Sequence, residues 1–447
     1  MRPFDGLPVV VVGLGVAGTA AARALANAGA RVVVSEQRPQ VQDAEPLRAL
    51  GVEVHVGGHR PEHLDGASVV VASPGVPERA PVLEWARARG IEVWSELDVG
   101  ARLCAVPYVA VTGTNGKSTT TELVACMMRA AGLDAIACGN IGHPFSLAAG
   151  EGHQALAVEA SSFQLRFHHW LRPKVSVLLN VAPDHLDWHG SFDAYAAAKA
   201  RVFELQGPEE VHVGNAEDPA AASISRTARC SRLWFRLSEP GEGEVGYVDG
   251  VLVARVDGEQ RLDRPPASSE GFRADVAAAA AAALAYGLPA EAIVEGMHAM
   301  RPLAHRGEEV ARIGGVAFVD DSKATNVHAA LHALAGRRRV VLIAGGVAKG
   351  VDLSPLADAA PALSAVVAIG ASASEVAGLF EGSVPVRKAE SMEEAVRAAF
   401  ELAPPGGTVM LAPACASWDM FRDYAERGER FAAAARALGE EVTHGAR

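Results

Sequence analysis

The segment Thr112-Gly113-Thr114-Asn115-Gly116-Lys117-Ser118-Thr119 brings together two glycines, a lysine and two adjacent hydroxyls. Backbone N–H groups between the glycines can cradle the β- and γ-phosphates of a nucleotide. Lys117 can neutralise them, and Ser118 or Thr119 can ligate Mg2+. The spacing is not that of the generic phosphate loop, which would place glycine at 111, where this chain has Val111. Glu159 ends the apolar run ALAVE. A carboxylate there is costly unless paired or metal-bound, and Mg2+ prefers few carboxylates plus phosphate oxygens. Asp184 and His185 follow a third apolar run, KVSVLLN. Each residue alone has an ordinary structural explanation. Lys117, Glu159 and His185 at three successive strand ends point to an ATP–Mg2+ site, because ligands of parallel α/β sheets bind beyond the carboxyl ends of the strands.

Two further constellations carry chemistry. Gly13-Leu14-Gly15-Val16-Ala17-Gly18 matches G-x-G-x-x-G, with Glu36 where a ribose-binding acid would lie. Taken alone, this predicts NAD. The same turn serves any nucleotide diphosphate on a helix N-terminus, and tight strand–helix packing would also explain the glycines. Nearer the C-terminus, His305-Arg306, Asp320-Asp321-x-Lys323, the glycine loop before Lys349, and Ser417, read as a helix cap, form loops suited to anions.

Composition singles out the lysines. Only six of 41 basic residues are Lys: Lys117, Lys174, Lys199, Lys323, Lys349 and Lys388. The asparagines also number six: Asn27, Asn115, Asn140, Asn180, Asn215 and Asn326. A chain that otherwise uses Arg should retain Lys where a compact, deprotonatable amine is needed. Lys174 and Lys388 are read as chance survivors. Lys199, in SFDAYAAAKARVF, would by itself read as a solvated helix lysine.

These residues need elements to position them. Val-rich runs alternating with helical patterns predict α/β architecture with mostly parallel sheets covered on both faces. Three domains are expected, at 1–97, 98–301 and 302–447. The first and last are Rossmann-like. The central one is of P-loop type, with a small antiparallel insert over 234–263. The length of 447 residues is too great for one core. The net charge of −12 disfavours nucleic acid as a partner. Five scattered cysteines exclude a zinc ribbon and argue against a disulfide framework. The N-terminus lacks the features of a signal peptide, and no apolar run is long enough to span a membrane. A cytoplasmic enzyme is expected.

With TGTNGKST, Asn180-x-x-x-Asp184-His185, LAHR (303–306), DDSKATN (320–326) and PACASWD (413–419) in place, the sequence resembles the Mur ligases of peptidoglycan synthesis over nearly its whole length. Within that family it is most similar to the D-glutamate-adding branch. The resemblance implies ATP-dependent amide-bond formation between UDP-N-acetylmuramoyl-L-alanine and D-glutamate through an acyl phosphate. It implies that Gly15, Val16, Ala17, Gln37, Arg38, Ser73, Gly75 and Asn140 hold the UDP-substrate, so that the first glycine motif is a UDP site. Gly113 to Thr119, with Arg306 and Asp321, would hold ATP. Ser118 or Thr119 and Glu159 would bind one Mg2+, and His185 with a carbamylated Lys199 a second. Arg could not form such a carbamate. Lys323 would assist phosphoryl transfer, and Thr325, Lys349, Ser417 and Tyr424 would bind D-glutamate. A monomer is expected.

The chain departs from the family pattern in three places. GFRADVAAAA (271–280) lacks the asparagines that relatives place near the adenine, Tyr424 stands where Phe is common, and Glu36 replaces a more usual Asp. The competing readings are a different Mur-type or folylpolyglutamate-type ligase, an NAD-dependent dehydrogenase, and a non-catalytic nucleotide-gated binding protein.

Overall fold

The computed structural model describes residues 3–267, 269–301 and 303–445. Pro302, where the third domain is expected to begin, lies outside the described residues, as do the chain ends 1–2 and 446–447. Two compact units are present: residues 1–181 with 192–300, and residues 182–191 with 301–447.

The first unit contains two sheets. One has five parallel strands: β1 (Pro8–Val12), β2 (Arg31–Ser35), β3 (Glu53–His55), β4 (Val69–Ala72) and β5 (Glu92–Trp94), in the order β3-β2-β1-β4-β5. Val10 to Val12 and Val69 to Ala72 are buried without alternation, as both faces of a parallel sheet require. The helix Glu96–Leu103 follows this sheet and spans residue 97.

The second sheet has nine strands: β6 (Tyr108–Thr112), β7 (Ala135–Gly139), β8 (Ala155–Glu159), β9 (Val175–Leu178), β10 (Val211–Asn215), β11 (Ser231–Phe235), β12 (Glu244–Val248), β13 (Val251–Arg255) and β14 (Glu259–Arg261). Their order is β14-β13-β12-β11-β10-β9-β6-β8-β7. The strand containing Trp234, read from sequence as antiparallel, pairs parallel with both neighbours. Antiparallel pairing is confined to β12, β13 and β14, which extend the edge of the main sheet. Short β-prone runs do not reveal pairing direction, because the direction depends on the connection between them.

The helix Lys117–Ala130 follows β6 and is packed by two others. Ala277 to Ala283 of the helix Glu270–Tyr286 are completely buried; side chains this small allow close approach. A Cβ on Gly296, in the helix Ala290–Ala299, would lie 2.5 Å from the Met127 backbone. Close helix packing therefore fixes the element that starts at Lys117.

The second unit holds a six-stranded sheet: β15 (Glu308–Ile313), β16 (Val316–Asp320), β17 (Val340–Gly345), β18 (Leu363–Ile369), β19 (Val386–Ala389) and β20 (Thr408–Leu411), ordered β15-β16-β20-β17-β18-β19. Only β15 runs antiparallel. The neighbours β16, β20 and β17 send their C-terminal loops, 321–325, 412–417 and 346–350, to one edge. The five cysteines are free thiols.

Candidate functional site

In the first sheet, Gly13 adopts φ +86° and a Cβ on Gly18 would lie 2.0 Å from the Gly13 carbonyl, so both glycines are sterically required. Glu36 does not occupy the position of a free ribose-binding acid. Its Oε2 accepts from the Leu14 N–H at 2.6 Å and Arg38 Nη2 at 3.0 Å. Its Oε1 accepts from the Arg38 N–H at 2.8 Å and Nε at 3.0 Å. Burial raises its pKa, but the hydrogen bonds from Arg38 and Leu14 outweigh burial and bring it down to about 2. Arg38 Nη2 also donates to the Leu14 carbonyl at 2.8 Å. This pair braces the glycine loop, which removes the feature that favoured NAD. Around the loop, Val16 is 75% exposed, Gln37 and Gly75 are exposed, and Ser73 packs under Gly13 and Gly15. Gly15 caps the helix Val16–Asn27, which also contains Ala17.

In the nine-stranded sheet, β9, β6 and β8 are neighbours, so Asn180, the 113–116 loop and Glu159 emerge side by side. Asn180 clamps the loop. Its Oδ1 accepts from the N–H groups of Thr114 (3.1 Å) and Asn115 (2.9 Å), and its Nδ2 donates to the Asn115 carbonyl at 3.1 Å. Gly116 is left-handed, at φ +83°, and a Cβ there would lie 2.1 Å from Asp275 Oδ1. Asp275 also accepts from Thr120 Oγ1 at 3.3 Å. The Lys117 ammonium donates to the carbonyls of Gly113 (3.0 Å) and Thr114 (2.8 Å), placing the charge over the loop that must meet phosphate. Ser118 and Thr119 are buried in the first helical turn.

Lys199 is 1% exposed, so it is not the solvated lysine that its alanine-rich surroundings alone would suggest. Its Nζ donates to the Gly113 carbonyl at 2.6 Å and lies 4.6 Å from the centroid of the Tyr195 ring. The Tyr195 hydroxyl is 3.0 Å from Thr114 Oγ1. Glu159 is 2% exposed; its Oε1 accepts from Asn140 Nδ2 at 2.9 Å. Its Oε2 is buried with no hydrogen-bond partner, as is Thr112 Oγ1 at the end of the adjacent strand. An orphaned carboxylate oxygen beside a glycine loop fits a cation that brings its own charge. No group of three or more His, Cys, Asp or Glu side chains able to hold a metal occurs among the described residues.

In the second unit, His185 is left-handed, at φ 54°, and precedes the short helix Leu186–His189. Its neighbour Asp184 is buried and forms an ion pair with Lys349, itself 4% exposed, and Asn326 Nδ2 donates to Asp184 at 3.0 Å. Burial raises the Asp184 pKa, but Lys349, His185 and Asn326 together bring it below the ordinary carboxylate range. Lys349 is therefore engaged by a carboxylate of its own chain. Asp321 is pushed up to about 6 by burial, against the pull of Arg306. Lys323 Nζ lies 3.6 Å from the centroid of the Tyr424 ring. Thr325 donates its N–H to the Lys323 carbonyl at 2.8 Å.

Ser417 does not cap a helix as read from sequence. Its carbonyl accepts turn bonds from Met420 and Phe421, and the helix begins only at Tyr424, where Asp423 accepts from the Glu426 N–H at 2.9 Å. Arg427 in that helix is 1% exposed and joins the loops. Nε and Nη2 donate to Ser322 at 3.0 and 2.8 Å, and Nη1 donates to the Cys415 carbonyl at 3.0 Å.

Sequence reasoning did not assign Asn180, Tyr195, Asp275, Asn326 or Arg427. The scarcity of asparagine could have found Asn180 and Asn326. Arg427 is one of many arginines and gave no signal.

Thus Gly113 to Thr119, Glu159, Asn140 and Lys199 belong to the first unit, with Gly15 to Ala17, Gln37, Arg38, Ser73 and Gly75. His185, Arg306, Asp321, Lys323, Thr325, Lys349, Ser417 and Tyr424 belong to the second.

Three family models match the chain. An N-terminal domain model, Mur ligase MurD-like, covers residues 8–95. The Mur ligase middle domain covers 111–239, and the Mur ligase glutamate ligase domain covers 305–415. The chain is 47% identical to the UDP-N-acetylmuramoylalanine–D-glutamate ligase of Frankia casuarinae, over 97% of this chain and 95% of that one. It is 41% identical to the corresponding Streptomyces avermitilis protein, over 98% of this chain and 100% of that one. Among solved structures, the UDP-N-acetylmuramate-alanine ligase MurC of Thermotoga maritima aligns with a TM-score of 0.60 at 17% identity, over 97% of this chain and 100% of that chain. A pseudomurein peptide ligase type C of Methanothermus fervidus gives 0.57 at 19% identity, over 91% and 96%. These two likenesses concern the fold.

Proposed function

The chain belongs to the Mur ligase family, and from that premise we propose that it joins D-glutamate to UDP-N-acetylmuramoyl-L-alanine. The enzyme is an ATP-dependent amide-bond ligase of peptidoglycan synthesis, and it releases ADP and phosphate. The observation that carries the site assignment is the unpartnered Oε2 of Glu159 beside a glycine loop whose shape Asn180 fixes and over which the Lys117 ammonium sits.

A carboxylate is a poor electrophile. The γ-phosphoryl group of ATP is transferred to the alanyl carboxylate, giving an acyl phosphate. The amine of D-glutamate then attacks this carbonyl, and the tetrahedral adduct expels phosphate. Lys117, already held over the loop, neutralises the nucleotide as it arrives. The Thr114 and Asn115 N–H groups, taken up by Asn180, fix the shape of the loop and are not themselves the phosphate donors expected from the sequence. Mg2+ would supply further neutralisation of the approaching anions, held by Glu159 with Ser118 or Thr119.

A second Mg2+, held by His185 and a carbamylated Lys199, belongs to the same reading. The buried position of Lys199 supports it. A carbamate retains one N–H, which can keep the bond to the Gly113 carbonyl while its oxygens face a cation. Gly15, Val16, Ala17, Gln37, Arg38, Ser73, Gly75 and Asn140 bind the UDP-substrate. Arg306 and Asp321 contact ATP, and Lys323 assists phosphoryl transfer. Thr325, Lys349, Ser417 and Tyr424 receive D-glutamate, Lys349 while braced by Asp184. The proposed domains are 1–97, 98–301 and 302–447. No described helix is long and apolar enough to cross a membrane, and the proposed setting is the cytoplasm, with the chain acting as a monomer.

The test is phosphate release from ATP and UDP-N-acetylmuramoyl-L-alanine with a panel of amino acids. D-glutamate should give the highest rate, and release should require both substrates. Equal release without the UDP-substrate, or preference for another amino acid, would overturn the proposal.

A further inference from the structure

After β4 the chain runs Ser73-Pro74-Gly75-Val76-Pro77-Glu78, and the last residue is fastened twice. Arg87, in the helix Pro81–Ala88, donates Nη1 to the Glu78 carbonyl at 2.9 Å and brings Nη2 within 3.7 Å of its carboxylate. Arg166 reaches the same carboxylate from far along the chain as a two-pronged fork, Nη2 to Oε1 at 2.6 Å and Nε to Oε2 at 3.2 Å. Arg166 ends the short helix Ser162–Arg166, whose N-cap Ser161 stands two residues beyond Glu159. The Arg166 carbonyl in turn accepts from Arg201 Nη1 at 2.6 Å, and Arg201 stands two residues beyond Lys199. A polar relay therefore joins the loop containing Ser73 and Gly75 to the segments that present Glu159 and Lys199.

The fork is not part of a core. Glu78 and Arg166 side chains are 23% and 44% exposed, on a groove of about 530 Å3 that is also lined by Arg201 and Glu204. A solvated pair contributes little to folding. Two parallel donors on two acceptors nevertheless fix direction as well as distance.

We infer that the Glu78–Arg166 fork is a positioning contact for the ligation. It sets the loop that holds the UDP end of the substrate at the correct span from Glu159 and Lys199, where the acyl end is activated. Neither residue touches a reacting atom. The inference rests on the ligase reading above.

Glu78→Arg and Arg166→Glu each place like charges face to face, and the double variant restores an opposite pair between positions 78 and 166 while leaving Arg87 opposed to the new cation. Each single change should raise KM for UDP-N-acetylmuramoyl-L-alanine by about fivefold, the upper range for an exposed pair. KM for ATP should move less than about twofold, and Tm should stay within about 2 °C. The double variant should be less impaired than Glu78→Arg alone, recovering the part of the loss that belongs to the pair with Arg166. Unchanged KM in the single variants, a parallel rise in KM for ATP, or a double variant as impaired as the two singles combined would overturn the inference. No phosphate release by the unmutated chain would overturn the ligase reading instead, and the inference with it.

Discussion

Replacing Glu159 by Gln should stabilise the ligand-free protein and impair the enzyme. In the structure Oε1 holds the Asn140 amide, a bond that a glutamine oxygen can keep, whereas Oε2 is buried with no partner. An unsatisfied buried acceptor costs ~1–3 kcal/mol, and more when charged. The glutamine N–H2 would leave a buried donor in its place, so part of that gain is returned. A net gain of ~1 kcal/mol corresponds to a rise in Tm of about 1–2 °C for a unit of this size. Mg2+-ATP should reverse the ranking. Ligand at about 100 times its Kd stabilises the binding-competent state by ~2.7 kcal/mol, and the variant should lose most of the Mg2+-dependent part of that protection. Thermal melting with EDTA, with ATP and EDTA, and with Mg2+-ATP separates these effects. A variant that melts lower in EDTA, or that keeps the full Mg2+-dependent shift, would refute the view of Glu159 as a carboxylate waiting for a cation.

Lys199→Arg should reduce kcat by ~100-fold, as loss of a metal-site group does. Lys199→Ala should be partly rescued by a short carboxylic acid; absence of rescue, with a parent enzyme indifferent to bicarbonate, would remove the carbamate. Lys117→Ala should lower ATP-dependent phosphate release by ~1000-fold, the upper range for loss of an electrostatic contact to developing charge. Asp321 bears on pH. Burial raises its folded pKa to about 6, against Arg306, so the folded state retains a proton that the unfolded chain releases from about pH 4 upward. Its contribution is therefore greatest at low pH and declines as pH rises through about 6, and Asp321→Asn should flatten that part of the stability profile. If the carboxylate contacts ATP, kcat/KM for ATP should fall below about pH 6 in the parent and lose that limb in Asp321→Asn. Identical profiles would contradict the assignment.

The loops were legible in the sequence wherever an apolar run stopped at glycine or at an isolated charge. Val109 to Val111 before Gly113 and Ala155 to Val158 before Glu159 are buried strands for that reason. What holds those loops was not legible. The Asn180 clamp depends on β9 lying beside β6, and the Lys199 bond to Gly113 joins residues 86 positions apart. Glu36 shows the opposite failure: the motif predicted an acid for a ligand, whereas both oxygens are engaged by Leu14 and Arg38. Periodicity likewise found β11 without its direction, since strand pairing is set by tertiary neighbours. The lysine bias was informative because it was chemical: of the four lysines not ascribed to chance, Lys199 and Lys349 are almost wholly buried.

The most direct measurement follows oxygen. UDP-N-acetylmuramoyl-L-alanine labelled with oxygen-18 in its alanyl carboxylate is turned over with ATP and D-glutamate, and the released phosphate is examined by mass spectrometry. Activation through an acyl phosphate predicts one labelled oxygen in each phosphate formed from doubly labelled substrate. Unlabelled phosphate accompanying amide formation would contradict it.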